Sequence, residues 1–224
     1  MKVLVIGGGA REHAIAWKVS QSAKLTKLYC LPGNPGTAQF ATNVELPLSN
    51  LHAVALWAAD EGIELTIVGP EAPLAAGIVN VFSERGLKIF GPTQEAARLE
   101  SSKSFAKEVM LKAGVKTAKG QVFTDINQAR AYVEQEGAPL VIKADGLAAG
   151  KGVVVAETVE EALAALQEFM VDGTLGSAGT SVVIEEKLDG QEASVMAIID
   201  GESVIPLVVS QDYKRLLDGG QGPN

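Results

Sequence analysis

The sequence predicts an α/β protein in two parts, with a doubly wound parallel sheet over residues 1–100 and an α+β region over residues 101–224. Before residue 100, short apolar runs alternate with helical periodicity, which is typical of parallel βα units. Near the end of the chain, apolar runs flank an Asp200-Gly201 turn, which is typical of an antiparallel hairpin. The change from parallel to antiparallel winding places a domain boundary near residue 100.

Composition limits the class of protein. The 224 residues are 47% hydrophobic and 21% charged, as in globular proteins with a sizeable core. A net charge of -8 argues against a broad nucleic-acid or anionic membrane surface, so a basic cluster in this chain indicates a site. The one cysteine, Cys30, lies on a predicted strand, and we expect a buried apolar residue in a reducing cytoplasm. The first apolar run is too short for a signal peptide, and no run approaches membrane-spanning length.

The chain opens with a strand, a glycine turn and a helix, over Lys2–Ile6, residues 7–10 and Arg11–Val19. A dinucleotide fingerprint would need glycine at position 12, where Glu12 stands, so this is not an NAD signature. Arg11 and Glu12, at a helix start beside open N–H groups, predict a site for a small polar or zwitterionic ligand. Helix capping with an Arg-Glu surface pair explains the same two residues equally well.

Later strands of this part end in glycine and proline turns. Strands are predicted at Lys27–Leu31, Glu64–Val68 and Leu87–Phe90, with helices at Leu51–Ala59 and, as one continuous helix, Pro73–Glu84. The turns after the strands read Gly33-Asn34-Pro35-Gly36, Gly69-Pro70-Glu71 and Gly91-Pro92-Thr93. Since the carboxyl ends of strands in an open parallel sheet face the ligand crevice, we expect these turns to share one rim.

The second part is predicted to mix helices and strands. Ser101 and Ser102 cap a helix that Gly114 stops, and Thr158 with Glu161 forms a capping box for a helix that runs to Val171. The remaining predicted elements are a strand over Gln121–Phe123, a helix over Ile126–Glu136, a flexible connection over Asp172–Thr180 and a β meander over Ser181–Glu185, Glu192–Ile199 and Glu202–Val209.

The stretch from Leu140 to Ala156, LVIKADGLAAGKGVVVA, carries the strongest chemical signal. An apolar run that ends at Lys143 and a β-branched run that begins at Val153 enclose a loop of glycine and alanine that holds Lys151. Glycines let backbone N–H groups approach a ligand and the two lysines add positive charge, so the pattern predicts a polyphosphate site. The loop lacks the spacing and the final Ser or Thr of a Walker A loop. The alternative is a hairpin with a merely glycine-rich turn.

Seven motifs carry a resemblance to a known family: VIGGGAREHAIAWK (5–18), LPGNPGT (31–37), VGPEAPLAAG (68–77), GPTQEAARLESSKSFAK (91–107), VIKADGLAAGKGVVVA (141–156), VIEEKLDGQEAS (183–194) and SQDYKR with GPN (210–224). Through them the chain resembles the ATP-grasp superfamily, and within it the phosphoribosylamine–glycine ligases, also called glycinamide ribonucleotide synthetases. The resemblance implies a pre-ATP-grasp domain over residues 1–100 and an ATP-grasp domain, lacking its C-terminal part, over residues 101–224.

The resemblance also implies site residues. Lys143 and Lys151 would be catalytic, and ATP would be bound by these two and by Lys103, Gly146, Ala149, Gly150, Gly152, Glu185, Glu186, Leu188 and Glu192. Glycine and phosphoribosylamine would be approached by Gly8, Gly9, Arg11, Glu12, Glu71, Asp212 and Lys214. On the sequence alone, charge at a strand edge explains the acidic residues near Glu185 equally well.

The reaction that the resemblance implies joins the carboxylate of glycine to the amine of 5-phosphoribosylamine in de novo purine biosynthesis, with ATP converted to ADP and phosphate through glycyl phosphate. Magnesium or manganese would accompany ATP, but the resemblance puts its ligands beyond Asn224, so no metal ligand is expected in this chain. The partners would be these small molecules, without nucleic acid or membrane. We therefore expect the N-terminal half of a longer ligase. The alternatives are a non-catalytic ATP-binding module completed by a partner chain, and an ATP-grasp ligase for another carboxylate.

Overall fold

The computed structural model of the chain describes residues 1–148, 150–211, 216–218 and 222. It contains two compact units, residues 1–186 and residues 187–224. The larger unit holds two sheets and their helices, and the smaller unit holds one hairpin. Within the described ranges, every helix is too short or too polar to cross a membrane.

The larger unit begins with a five-stranded parallel sheet of spatial order β3-β2-β1-β4-β5. Its strands are β1 (Lys2–Gly7), β2 (Lys27–Pro32), β3 (Thr42–Asn43), β4 (Leu65–Val68) and β5 (Ile89–Phe90). The accompanying helices are α1 (Ala10–Ser20), α2 (Leu51–Asp60), α3 (Glu71–Ala75), α4 (Ile78–Ser83) and α5 (Gln94–Ser101). The chain moves outward from β1 to β3 and then crosses to β4, so the strand order reverses between β1 and β4. In sheets of this kind the crevice beside that reversal is where ligands bind.

Both faces of this sheet are buried, which confirms the predicted doubly wound arrangement. Along β1, Leu4 and Ile6 pack into a core that also contains side chains of α2 and α4. The alternate residues Val3 and Val5 pack on the opposite face with Ala16 of α1. Because successive side chains of a strand point to opposite faces, a continuous apolar run such as this one fits a strand covered on both sides.

Two details of the helices in this part differ from the predictions. The single helix predicted over Pro73–Glu84 is two helices, because Gly77 adopts a left-handed conformation with φ of +90° between α3 and α4. The sequence pattern does not predict helix α5. It starts where Thr93 accepts a hydrogen bond from the N–H of Ala96 at 3.3 Å, so a residue interpreted as part of a turn is also a helix cap.

The larger unit continues with an antiparallel sheet of order β6-β9-β7-β8. Its strands are β6 (Gly120–Phe123), β7 (Leu140–Ala144), β8 (Val153–Ala156) and β9 (Val182–Glu186). Its helices are α6 (Lys103–Lys112), α7 (Ile126–Glu136) and α8 (Val159–Met170). Leu140, Ile142 and Ala144 of β7 enter the core formed with α7 and α8. The predicted cap of α8 is present, since Thr158 accepts the N–H of Glu161 at 3.2 Å.

The predicted β meander is wrong in part. Strand β9 pairs with β6 on one side and β7 on the other, so it is an interior strand of the four-stranded sheet. The smaller unit contains the predicted hairpin, with β10 (Ala197–Asp200) antiparallel to β11 (Ser203–Pro206) and Gly201 at φ +51° in the turn. The connection between α8 and β9, predicted to be flexible, includes a 3-10 turn at Gly176–Gly179.

Candidate functional site

One face of the antiparallel sheet carries the predicted lysine site. Residues directly opposite each other in an antiparallel pair project to the same side of the sheet. Lys143 lies opposite both Val153 and Val183, and Glu185 lies opposite Val141. These side chains therefore project away from the core of α7 and α8. Val153 is 45% exposed and lines a cavity, so Lys143 and Glu185 belong to the face that borders this cavity.

Three charged side chains form what we call the buried triad: Lys107, Glu185 and Lys143. The Nζ of Lys107 lies 2.7 Å from Oε1 of Glu185, and the Nζ of Lys143 lies 2.5 Å from Oε2. The side chains of Lys107 and Glu185 are 5% and 9% exposed, whereas that of Lys143 is 31% exposed. Burial opposes ionisation of Glu185, but the hydrogen bonds from the two lysines outweigh it, so the pKa of Glu185 lies below its ordinary value.

Gly120 makes room for the triad. It lies opposite Glu185 in the register of β6 and β9. A Cβ at this position would overlap the carbonyl oxygen of Ile184 and would stand 2.9 Å from both the Cα and the Cγ of Glu185. A glycine at this position therefore lets the Glu185 side chain lie flat across β6 towards Lys107.

The start of α6 is tied to the start of the glycine loop by Asp145. Its carboxylate accepts the N–H of Ser104 at 2.7 Å and the hydroxyl of Ser104 at 2.8 Å. Its carbonyl accepts the N–H of Lys103 at 3.1 Å. The Nζ of Lys103 donates to the carbonyl of Gly146 at 3.1 Å. Burial lowers the pKa of Lys103, and the nearby charge of Lys143 acts in the same direction.

The loop between β7 and β8 borders a cavity of about 480 Å³. Gly150 and Gly152 of the loop line it together with Lys103, and Glu71 and Glu100 line it as well. Gly150 has φ of +80°, a conformation that favours glycine. Lys151 is exposed on the same loop, and its N–H donates to the carbonyl of Ala148 at 2.9 Å. Lysine ammonium groups, a glycine loop and an open cavity together suit a polyanion.

A second cluster lies at the carboxyl ends of β1 and β4, on the predicted rim. The Nη1 of Arg11 donates to the carbonyl of Gly69 at 2.8 Å and to Oε1 of Glu71 at 2.9 Å. We call Arg11 and Glu71 the rim pair. The hydrogen bond with Glu71 raises the pKa of Arg11. The pKa of Glu71 is lowered by its own backbone N–H and by Arg11. The arginine therefore pairs across the strand reversal rather than with its neighbour Glu12.

Glu12 has a structural role that the capping interpretation anticipated. It is 5% exposed, and its Oε2 accepts the N–H of Gly9 at 2.8 Å, which closes the first turn of α1. Its carboxylate fills the space that Cβ atoms at Gly7, Gly9 or Gly69 would occupy. Close packing also favours glycine at position 8, since a Cβ on Gly8 would stand 2.6 Å from the carbonyl oxygen of Gly33.

The remaining predicted site residues fall in three groups. Glu186 accepts the N–H of Lys119 at 2.7 Å, which extends the pairing of β6 and β9 at the strand end. Leu188 and Glu192 are exposed residues of the smaller unit. The last group, which lies outside the described residues, consists of Ala149, Asp212 and Lys214.

Sequence reasoning missed two residues that hold the site together. Lys107 follows Lys103 by one helical turn, so the two lysines lie on the same face of α6. This spacing could have indicated that Lys107 also faces the site. Asp145 directly follows β7 and opens the glycine loop. Beyond that spacing, the sequence alone does not indicate either residue, because both side chains act on other protein groups.

In the part of the chain that the structure describes, no three His, Cys, Asp or Glu side chains are grouped closely enough to hold a metal ion. A magnesium ion that accompanies a nucleotide is commonly held by one or two carboxylates together with the phosphates, so this finding concerns only a metal site built from protein groups alone.

Solved structures share this fold. The chain superimposes on phosphoribosylamine–glycine ligase from Thermotoga maritima with a TM-score of 0.83 and 34% identity, over 100% of this chain and 53% of that one. N5-carboxyaminoimidazole ribonucleotide synthetase from Thermus thermophilus gives a TM-score of 0.69 at 20% identity, over 97% of this chain and 55% of that one, which is a likeness of fold alone. The class of protein is the ATP-grasp class, because the family model that matches residues 101–224 is that of an ATP-grasp (A) domain.

Family models and curated relatives identify the family. The model of the phosphoribosylglycinamide synthetase N domain matches residues 1–100, and that of the ATP-grasp (A) domain matches residues 101–224. The chain belongs to the phosphoribosylglycinamide synthetase family. It is 55% identical over its whole length to phosphoribosylamine–glycine ligase of Ralstonia nicotianae and 54% identical to that of Halalkalibacterium halodurans. It spans about half the length of these relatives, 53% and 52%.

Proposed function

We propose that this chain provides the ATP site and part of the substrate site of a ligase that joins glycine to 5-phosphoribosylamine, a step of purine biosynthesis. The observation that carries the proposal is that Lys103 and the glycine loop line one cavity, and that Lys143 lies opposite Val153, which lines the same cavity. This occurs in a chain that is 55% identical to a relative named phosphoribosylamine–glycine ligase. The proposal treats residues 1–100 as the substrate domain and residues 101–224 as the nucleotide domain.

The proposed ATP site uses the open face of the antiparallel sheet. The ammonium groups of Lys103, Lys143 and Lys151 neutralise the phosphates, and the loop contributes backbone N–H groups from Gly146, Ala149, Gly150 and Gly152. The exposed Val153 and Val155 give a planar base an apolar surface beside these charges. Glu185 and Glu186 contribute backbone groups to the base, because both carboxylates already have protein partners. We retain Leu188 and Glu192 as adenosine contacts on the resemblance alone.

The proposed substrate site uses the rim beside β1 and β4. Arg11 supplies positive charge for the carboxylate of glycine or the phosphate of phosphoribosylamine, and Glu71 supplies negative charge for an amine. Glu12 sets the position of the turn at Gly8 and Gly9 through its hydrogen bond with the Gly9 N–H. Asp212 and Lys214 are proposed substrate contacts from the resemblance. Glu71 lines the same cavity as Lys103, which puts the rim within reach of the phosphate loop.

The chemistry requires activation of a carboxylate. A carboxylate oxygen of glycine attacks the γ-phosphorus of ATP, the bond from that phosphorus to the bridging oxygen breaks, and ADP leaves. The amine nitrogen of phosphoribosylamine then attacks the carbonyl carbon of glycyl phosphate, phosphate departs with the carbon–oxygen bond pair, and the amine loses a proton. The lysines neutralise charge and position the reactants, so a protein nucleophile is unnecessary.

We also propose that magnesium or manganese accompanies ATP, since the ion neutralises polyphosphate charge in phosphoryl transfer. A cytoplasmic location is proposed from the sole cysteine, Cys30, which is fully buried on β2. Burial raises the pKa of the Cys30 thiol to about 11, so the thiol stays protonated at neutral pH.

A second candidate function is ATP binding without turnover by this chain alone. It is favoured by one observation, that the chain spans 53% of the length of its Ralstonia relative. The two candidates share the nucleotide site and differ in whether 224 residues suffice for the reaction.

The deciding experiment measures phosphate release by the chain with ATP, magnesium, glycine and freshly generated phosphoribosylamine. Release that requires both substrates and is abolished by Lys143→Ala supports the ligase. ATP binding without release supports the second candidate. Absence of ATP binding under any condition contradicts both. Omitting one substrate at a time, with Lys112→Ala as a surface-lysine control on α6, separates ligase activity from simple ATP hydrolysis.

A further inference from the structure

A buried lysine of α6 stands beneath the proposed phosphate site. Lys107 is 4% exposed, and its ammonium group donates to the carbonyl of Ala118 at 2.6 Å and to Oε1 of Glu185 at 2.7 Å. A buried lysine is costly unless it is paired. It lies one helical turn after Lys103, on the same side of α6, so one helix face supplies both a cavity-lining lysine and a lysine at the base of the site.

Glu185 connects this lysine to the one that faces the cavity. One carboxylate oxygen accepts from Lys107 and the other accepts from Lys143 at 2.5 Å. Lys143 is the more exposed of the two lysines, with 31% of its side chain accessible, and it lies opposite the cavity-lining Val153. Of the two ammonium groups, that of Lys143 is therefore the more accessible to a ligand, while that of Lys107 donates to protein oxygens within the described chain.

The net charge of the buried triad depends on Lys107. A pair of Lys143 and Glu185 alone would be neutral, and its carboxylate would compete with a phosphate for the Lys143 ammonium. The second lysine makes the triad net positive. Because charges at a partly buried site are screened less than surface charges, this one charge has a large effect on a polyanion nearby.

We propose that Lys107 is a positioning residue that occupies the Glu185 carboxylate and thereby leaves the charge of Lys143 available to the phosphates of ATP. The proposal rests on the proposed ATP site. Lys107 makes no contact with the nucleotide, and its effect on ATP binding acts entirely through Glu185. Removing Lys107 should therefore weaken ATP binding, and removing the Glu185 charge as well should restore it.

The test measures ATP affinity of the 224-residue chain by calorimetric titration at two ionic strengths. The proteins are the parent chain, Lys107→Met, Glu185→Gln and the double variant, with Lys112→Met as a control for loss of an exposed lysine of the same helix. Circular dichroism and thermal unfolding establish that each variant is folded at the temperature of titration. Glutamine keeps an oxygen that accepts from Lys143 but carries no charge.

We expect Lys107→Met to weaken ATP binding by about 10-fold or more and to reduce its salt dependence, since a charge-assisted contact becomes unavailable. The double variant should return to within about 3-fold of the parent, although it carries more substitutions. The Lys112→Met control should bind as the parent does. If Lys107→Met fails to fold, the double variant, which carries no charged carboxylate at position 185, is compared with the parent directly by the same criterion.

Three results would overturn the inference. Folded Lys107→Met that binds ATP as the parent does would remove any role in binding. A double variant as weak as Lys107→Met, or weaker, would show that Lys107 acts otherwise than through Glu185. A parent chain that binds no ATP would overturn the proposed function together with this inference, whereas the first two results leave the proposed function standing.

Discussion

The rim pair and the buried triad show what burial does to the same ion-pair chemistry. Arg11 and Glu71 meet at 2.9 Å with side chains 60% and 43% exposed, so water and salt compete for both charges. Lys107 and Glu185 meet at 2.7 Å with side chains 5% and 9% exposed. The first pair can open to admit a ligand at little cost. The second holds its geometry, because an unpaired charge there is expensive.

The difference suggests a division of labour within the larger unit. The rim pair, at the strand reversal of the parallel sheet, is exposed and can rearrange around the small substrates that we propose for it. On the open face of the antiparallel sheet, Lys143 is held in place by the buried pair of Lys107 and Glu185. Removing a charge from the triad should therefore lower stability as well as ATP binding, whereas removing a charge from the rim pair should affect ligand binding alone.

The largest expected effect comes from Glu185→Gln. The substitution leaves Lys107 buried with its charge uncompensated, and we expect the free energy of unfolding to fall by about 3–5 kcal/mol. Urea denaturation monitored by circular dichroism measures this loss. Glu108→Gln, which breaks an exposed pair with Lys112, is the matched control and should leave the urea midpoint unchanged. A triad variant as stable as this control would contradict the account of the triad.

A smaller loss should follow Gly120→Ala. The added methyl group would overlap the backbone of β9 at Ile184 and crowd the side chain of Glu185, and such overpacking costs about 1–3 kcal/mol. Denaturant unfolding again gives the loss. Gln121→Ala on the same strand, at an exposed position, serves as the control. Equal stability of the two variants would mean that Gly120 makes no room for the triad.

The pH dependence of stability should separate the two regions further. The folded pKa of Glu185 lies below its ordinary value of 4.5, so its contribution is present above pH 4.5 and is lost as pH falls through the folded value. One such carboxylate changes the free energy of unfolding by at most about 1.4 kcal/mol per pH unit. Glu71 has a pKa shifted in the same direction but is more exposed.

Unfolding free energies measured from pH 7 down to pH 3 test this difference. In the acidic part of this range, Glu185→Gln should reduce the dependence of the unfolding free energy on pH more than Glu71→Gln does. The reverse order, or two identical curves, would contradict the assignment of the stronger coupling to the triad.

The smallest effect on stability is expected for Arg11→Gln. An exposed ion pair contributes up to about 1 kcal/mol, so the free energy of unfolding should change by no more than this. The phosphate-release assay should show weakened use of glycine or phosphoribosylamine with ATP affinity preserved. Lys18→Gln, another exposed cation of α1, is the control. A large loss of stability would mean that the rim pair is structural.

Much of the fold followed from periodicity and turn chemistry. The buried strand predicted over Lys2–Ile6 and the helix predicted over Ile126–Glu136 were predictable because local sequence and packing agree. The division at Gly77 and the start of α5 at Thr93 were missed, because a single left-handed glycine and a cap inside a turn leave little periodic signal. The interior position of β9 depends on long-range pairing, which no local pattern specifies.

The candidate site was predictable where residue type implies contact with a ligand. Lys143 and the glycine loop combine charge with an open backbone; Gly150 and Gly152 of the loop line a cavity with Lys103, and Lys143 lies opposite the cavity-lining Val153, while their contact with a ligand stays a prediction. Lys107 and Asp145 act on other protein groups, and only the fold reveals their partners. The partner of Arg11 was unpredictable for the same reason, since Glu71 is 60 residues away along the chain.

The measurement that tests the central claim most directly is an ATP titration of the parent chain, Lys143→Ala and Arg11→Gln. If the antiparallel face holds the phosphates, Lys143→Ala should weaken ATP binding by about 10-fold or more, while Arg11→Gln stays within about 2-fold of the parent. Equal losses in both variants, or an unchanged affinity in Lys143→Ala, would contradict the assignment of ATP to the antiparallel sheet.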